Sequence, residues 1–432
     1  MKSPKWLQGS FAEQIEYMCQ HFGPAAAEVR HELFFLHAGR SQTAAGMRAF
    51  GALLRDAWLL LRHSEPARKT QGQRHAVLLT TLAGMSGWGT LQRVLPTLRS
   101  AGYEPLVLLH PRLANPDIAA GLSIIRPIRP ERRTWCSAMQ VFIDALCQRQ
   151  PLLLASCLVR RTLWVGSLQR TLATSRGVLL LHNDFDLMSR AAIGQGLTTI
   201  CMQHGIPTDE FFPTQADWYV VWGEASRQVF GGNGTSDTRL VTDALGRGEA
   251  PKAPASAPEG IALLSQTHAQ VLGEGIGEAL TSFANALLQI APGARILLHP
   301  QEGQPYTGEA ARAVCHPPHP ELQSPSPKPC LVVGYCSTAM LDAALAGHWV
   351  VALQLSLPGN LAVRKALATP LQAATAEQVV EIYQRLRDDS AFRRDRAQAQ
   401  AQWLRGHFAN GDDQFGALLR RLQQSPSMEC VA

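Results

Sequence analysis

Short apolar runs that stop abruptly at polar residues, set between helix-periodic stretches, constrain this chain more than any other feature. Such runs occupy 76–81, 105–109, 152–155, 178–181, 198–201 and 218–222. Continuous apolar strands need cover on both faces, which a parallel sheet flanked by helices provides. A Pro/Ala/Gly segment at 246–258 then breaks the alternation with the composition of a linker. Beyond it the pattern restarts: strand 260–265, helix 275–290, strands 296–298 and 330–333, a helix to 346, strand 349–353, and helical sequence over 376–424.

The expected α/β architecture is two doubly wound Rossmann-type domains facing a central cleft, preceded by a helical extension. The 432 residues suit this division, since about 100–200 residues make one domain. The boundaries read as a helical segment over 1–70, a first domain over 71–245, a linker over 246–259, and a second domain over 260–432. In the extension, Phe11, Ile15, Met18 and Phe22 recur at helical spacing. Residues 315–328, rich in Pro, Ser and His, read as a loop.

Nine cysteines, with no CxxC pair and no zinc spacing, fit free thiols in a reducing compartment. No apolar signal or spanning run is present. The expectation is a cytoplasmic protein, with the cytoplasmic face of the inner membrane as an allowed peripheral contact. The net charge of +6 comes from scattered arginines such as Arg126, Arg129, Arg132, Arg133, Arg393, Arg394 and Arg396. Scatter of this kind is a solvated surface first and an attraction to anionic partners second. Without a basic stripe interleaved with aromatics, nucleic acid is not an expected partner.

The chemistry-bearing residues all fall at strand ends, where open sheets bind ligands. Gly84, Gly87 and Gly89 form a loop that lets a backbone approach an acceptor, though their order is not the dinucleotide fingerprint. Asp184 and Asp186 follow an apolar run, and Asp184 is a candidate base. Their D-x-D spelling also occurs in metal-dependent sugar transferases built on one nucleotide domain; with two domains expected, no metal site is assigned, and a helix cap is the plain alternative. Gln203, His204 and Gly205 place a second candidate base, His204, at a sharp turn.

In the second half, His299 and Pro300 end a strand, and Gly334 leads through Ser337 and Thr338 into a helix. Ser265 ends the strand that opens this half. A helix start offers unpaired N–H groups and a positive dipole end, so hydroxyls there with an imidazole suit a phosphate. His110, His316 and His319 also precede proline, but only His299 is followed at some distance by such a helix start.

The combination of Gln203, His204 and Gly205 with His299, Pro300, Gly334, Ser337 and Thr338 resembles bacterial GT-B glycosyltransferases of capsule and lipopolysaccharide synthesis. These include CMP-sialic acid and CMP-Kdo transferases, with an HP motif and an S-S/T motif. The likeness extends more weakly to CDP-glycerol phosphotransferases of teichoic acid synthesis. It implies a GT-B-like fold and transfer of a sugar, foremost a CMP-activated ulosonic acid, to a glycan or glycolipid acceptor. A CDP-polyol phosphotransferase or a GT-B-like sugar-nucleotide epimerase is the alternative. It further implies that His299, Ser337 and Thr338 hold the donor phosphate. Gln203, Ser265, Pro300 and Gly334 are expected on the donor side, and no cofactor is required beyond the nucleotide-sugar donor, since imidazole and helix dipole can supply the positive field.

One element of that family departs. Its acidic D/E-D/E-G motif is missing, because Asp209 and Glu210 precede Phe211, and Asp412 and Asp413 follow their glycine. The base therefore stays open between Asp184 and His204.

Overall fold

The computed structural model describes residues 11–37, 40–62, 74–82, 84, 87–113, 121–245, 247, 254, 256–267, 270–273, 275–300, 302, 306–322, 328–357, 367–409 and 413–424. Most of the expected linker and part of the 315–328 loop lie outside these residues.

The first sheet contains β1 (His75–Thr80), β2 (Glu104–Leu109), β3 (Ser123–Ile125), β4 (Gly177–Leu181), β5 (Thr198–Met202), β6 (Trp218–Val221) and β7 (Leu240–Thr242). Their order is β3-β2-β1-β4-β5-β6-β7, and every pairing is parallel. The second sheet repeats the plan with β8 (Ile261–Leu264), β9 (Arg295–Leu297), β10 (Val314–Cys315), β11 (Leu331–Gly334), β12 (Trp349–Leu353) and β13 (Gln372–Ala373), in the parallel order β10-β9-β8-β11-β12-β13. Both sheets are doubly wound, as expected, and the strand order reverses between β1 and β4 and between β8 and β11. β1, β11 and β12 are buried along their whole length, which explains their uninterrupted apolar sequence.

The N-terminal extension forms α1 (Phe11–Phe22), α2 (Arg30–His37) and α3 (Gln42–Arg62). Two short helices follow the glycine loop, α4 (Trp88–Gln92) and α5 (Leu95–Ser100), with Pro96 in the first turn of α5. α6 (Arg132–Cys147) leads to α7 (Leu152–Leu172). The apolar run at 152–155, placed among the strands from sequence, is the start of α7. This helix buries side chains around most of its circumference, between the sheet and the outer helices, so its first turn has no polar face to reveal a helical period.

The remaining helices are α8 (Leu187–Ala192), α9 (Glu224–Gly232), α10 (Ile276–Ile290), α11 (Thr338–Leu345), α12 (Ala376–Asp388), α13 (Ser390–His407) and α14 (Gln414–Gln424). α14 departs from the expected grouping of 260–432. Its Phe415, Leu418 and Leu419 are buried with Leu98, Val107 and Val220 of the first domain, and the Phe415 amide donates to Asp243 at 3.0 Å. Among the described residues, no helix is long and apolar enough to cross a membrane.

Asp56 fastens the N-terminal layer to the first domain. Its buried carboxylate accepts from Arg160 Nε at 2.8 Å, from Trp164 Nε1 at 3.1 Å, and from Arg112. Burial alone would raise this carboxyl, but Arg160, Trp164 and Arg112 together hold it below its ordinary range. Its contribution to stability is therefore complete above about pH 4 and is lost as the pH falls through the lower folded value. We predict that Asp56→Ala, which leaves Arg160 buried without this partner, costs about 3–5 kcal/mol at pH 7. Urea denaturation as a function of pH checks this, and the variant should lose stability less steeply than wild type below about pH 4.

Candidate functional site

The two domains meet where the turn after β5 docks on the start of α11. Thr338 Oγ1 accepts from the Ile206 amide at 3.1 Å, and a Cβ at Gly205 would stand 3.2 Å from the same oxygen. Glycine at 205 therefore permits this close approach. The contact is reinforced behind it. Trp222 stacks on Phe408 with centroids 6.0 Å apart, and the Arg247 guanidinium lies 4.1 Å from the Trp222 ring. Arg247 Nη1 is 3.6 Å from Asp342 of α11.

On the second-domain side, a cavity of about 370 Å³ opens at the β8/β11 reversal point. It gathers Ser265 after β8, His299 and Pro300 after β9, and Ser337 with Asp342 at α11. Leu264, Leu298, Pro317 and Pro318 supply apolar walls. Ser337 caps α11, its hydroxyl accepting from the Ala339 amide at 3.2 Å, so the helix start borders the cavity. Ser265 donates to Glu302, and Tyr306 donates to Ser265 at 2.9 Å, which fixes the hydroxyl. Burial lowers the His299 pKa, so the imidazole is neutral at pH 7 and can donate a hydrogen bond rather than a full charge. Burial lowers Arg247 to about 10, so it remains a cation, paired with Asp342 of the cavity wall.

Not every expected residue reaches the cavity. Thr338 turns its hydroxyl to the first domain. Gly334 allows Met340 to pack closely, its Cβ position lying 2.8 Å from the Met340 sulfur. The Gln203 side chain is buried and spent on Gly205 O at 3.0 Å, Ser226 Oγ at 2.9 Å and the Trp222 amide at 2.8 Å. It organises the turn behind His204 rather than facing a donor.

On the first-domain side, Asp184 is buried, and its carboxylate accepts from Tyr219 OH and from the Gln215 and Ala216 amides. Burial raises its pKa. Asp186 caps α8 through the Ser189 amide at 2.8 Å and also accepts from Thr81 at 2.8 Å. The two carboxylates serve different partners, and among the described residues no group of His, Cys, Asp and Glu is placed to hold a metal ion. His204 stacks on Phe211 with centroids 5.1 Å apart, and among the described residues its Nδ1 has no hydrogen-bond partner. Burial lowers its pKa, leaving a neutral imidazole able to take a proton.

Gly87 holds the loop after β1 in place, since a Cβ there would overlap Leu82 O; Gly84 O accepts from the Gly87 and Gly89 amides at 3.0 and 3.2 Å. Several site residues were not singled out from sequence. His319 lines the cavity and reaches Leu298 O at 3.0 Å, although its His-Pro pair lacked a following helix start. Arg247 sat in linker-like sequence. His182, bonded to Thr81 Oγ1 at 2.9 Å and 5.9 Å from the His204 ring, carried no motif beyond its place at the end of β4.

No family model and no curated protein matches the sequence. Among solved structures, a variant of Os79 from O. sativa in complex with UDP is 12% identical, with a TM-score of 0.52 over 80% of this chain and 99% of that one. Os79 in complex with U2F and trichothecene matches at 12% identity and a TM-score of 0.50 over 80% and 99%. An O-GlcNAc transferase of Thermobaculum terrenum is 16% identical, with a TM-score of 0.45 over 96% and 82%. The likeness to Os79 shows the fold: two facing Rossmann-like domains of the GT-B kind.

Thr338→Val keeps the side-chain volume but strands the Ile206 amide. We predict a loss of about 1–3 kcal/mol by urea denaturation, with Thr338→Ser close to wild type.

Proposed function

We propose that this chain is a glycosyltransferase that moves a sugar from a nucleotide donor to an acceptor hydroxyl across the interdomain cleft. The observation that carries this reading is the cavity at the β8/β11 reversal point, where apolar walls, His299, His319, Ser337 and the start of α11 converge. The UDP bound by Os79, which shares the fold, supports a nucleotide ligand.

In this mechanism the nucleotide's phosphates lie against Ser337, the α11 amides and His299, with Arg247 supplying positive charge nearby. His204 takes the proton from the acceptor hydroxyl as its oxygen bonds to the anomeric carbon. The bond from that carbon to the phosphate oxygen breaks, and its electron pair stays on the departing nucleotide. Preorganised donors stabilise the growing phosphate charge without reorienting. His204 is favoured over Asp184 as the base because the Asp184 carboxylate is already engaged by Tyr219, Gln215 and Ala216. The finer reading is a CMP-linked ulosonic acid donor and a surface-glycan acceptor, with a CDP-polyol donor as its alternative.

A thermal-shift screen of CMP, CDP, UDP and GDP tests the site, because a ligand that binds only the folded chain raises its apparent stability. At least one nucleotide should stabilise wild type, and that shift should vanish in His299→Ala/Ser337→Ala. A chain that responds to none of the four overturns the reading. Preference for CMP over CDP and UDP selects the finer donor. His204→Ala should keep the nucleotide shift while slowing transfer by about 10²–10⁴-fold, measured as nucleotide released in the presence of acceptor.

A further inference from the structure

Seven of the nine exposed large apolar side chains among the described residues fall on two helices of the first domain, each 43% to 61% exposed. α3 contributes Met47, Leu54, Trp58 and Leu61, spaced by seven, four and three residues, and so forming one stripe. α6 contributes Met139, Ile143 and Leu146 at spacings of four and three.

The two stripes form one surface. α3 runs in the same direction as α7, because Gly46 packs on Leu152 while Asp56 bonds Arg160 and Trp164. α6 runs the opposite way, since Thr134 packs on Gly166 near the far end of α7. The rings of Phe50 and Phe142 lie 6.4 Å apart and bring α3 beside α6. Counting equal rises outward from that pair sets Leu54 near Met139 and Met47 near Leu146. α3 and α6 thus form an outer layer over α7, with its apolar side facing solvent.

The charge beside this surface identifies its occupant. Arg48, Arg55 and Arg62 are exposed and each follows a stripe residue by one position, so a positive row borders the apolar one. The Arg62 guanidinium lies 4.9 Å from the Trp58 ring. Arg132 adds exposed positive charge at the start of α6, where the neighbouring Arg133 is paired with Glu131 at 2.7 Å. The acidic residue of α3, Asp56, is buried and paired; that of α6, Asp144, accepts from Gln140. Apolar side chains flanked by arginine, with a tryptophan at the border, match the physics of a helix lying in the interface of an anionic bilayer. A symmetric pairing of two copies through this face would bring the arginine rows together, which like charge opposes.

We propose that the α3–α6 face seats the protein on an anionic lipid surface. The proposal is independent of the nucleotide site and is tested without it. Full-length protein is sedimented with vesicles of phosphatidylcholine alone and of phosphatidylcholine with one third phosphatidylglycerol, at low and raised salt. Wild type should pellet with the anionic vesicles, release at raised salt, and stay in solution with phosphatidylcholine. Arg48→Gln/Arg55→Gln should bind about 25-fold more weakly, at about fivefold for each arginine. Leu54→Glu/Met139→Glu should not bind, with thermal unfolding unchanged from wild type as the check on its fold. Wild type that stays in solution with anionic vesicles, or arginine variants that bind like wild type, overturns the proposal. So does a dimer, seen by sedimentation velocity, that Leu54→Glu/Met139→Glu converts to monomer without any vesicle binding, because a second copy then covers the face.

Discussion

The single hydroxyl of Thr338, accepting from the Ile206 amide across the two domains, is the interaction on which the rest of the arrangement depends. It sets the turn carrying His204 against the helix that begins at the cavity after β8 and β9. The geometry works because Gly205 has no side chain to hold the domains apart. Behind the turn, the buried Gln203 amide spends both its ends on backbone and on Ser226, so the loop is stiff before any ligand arrives. Trp222, Phe408 and Arg247 then seal the junction with stacked rings and a guanidinium.

The architecture was legible in the sequence where burial is two-sided. β12 is buried at every position, so its apolar run shows the whole strand; β10 and β13, only two residues each, leave no such run. The run at 152–155 misled because α7 is covered on most sides, and a fully buried turn of helix looks like a buried strand. The return of α14 to the first domain depends on contacts with residues more than 170 positions earlier, which no local pattern carries.

The site was legible in part. His299, Pro300, Ser337 and Ser265 share a cavity because each ends or follows a strand next to the reversal point, a position that the strand pattern reveals. The engagement of Asp184 was hidden, since its partners Gln215, Ala216 and Tyr219 come from a loop and strand 31 to 35 residues away. His319 and Arg247 were hidden for a different reason: both lie in Pro-rich sequence, where composition says loop and conceals a side chain brought back to the centre. Two imidazoles kept neutral by burial, one on each side of the cleft, follow from the depth of the crevice and not from any motif.

The return of α14 makes the second domain, in topological terms, an insertion within the first. The chain passes outward after β7 and back after Phe408, so the domains are tethered at two points. A body held by two tethers keeps one easy degree of freedom, rotation about the line joining them, while sliding and separation are resisted. Any widening of the crevice that admits a ligand is thereby steered into a rocking motion, with Trp222 and Phe408 close to its pivot.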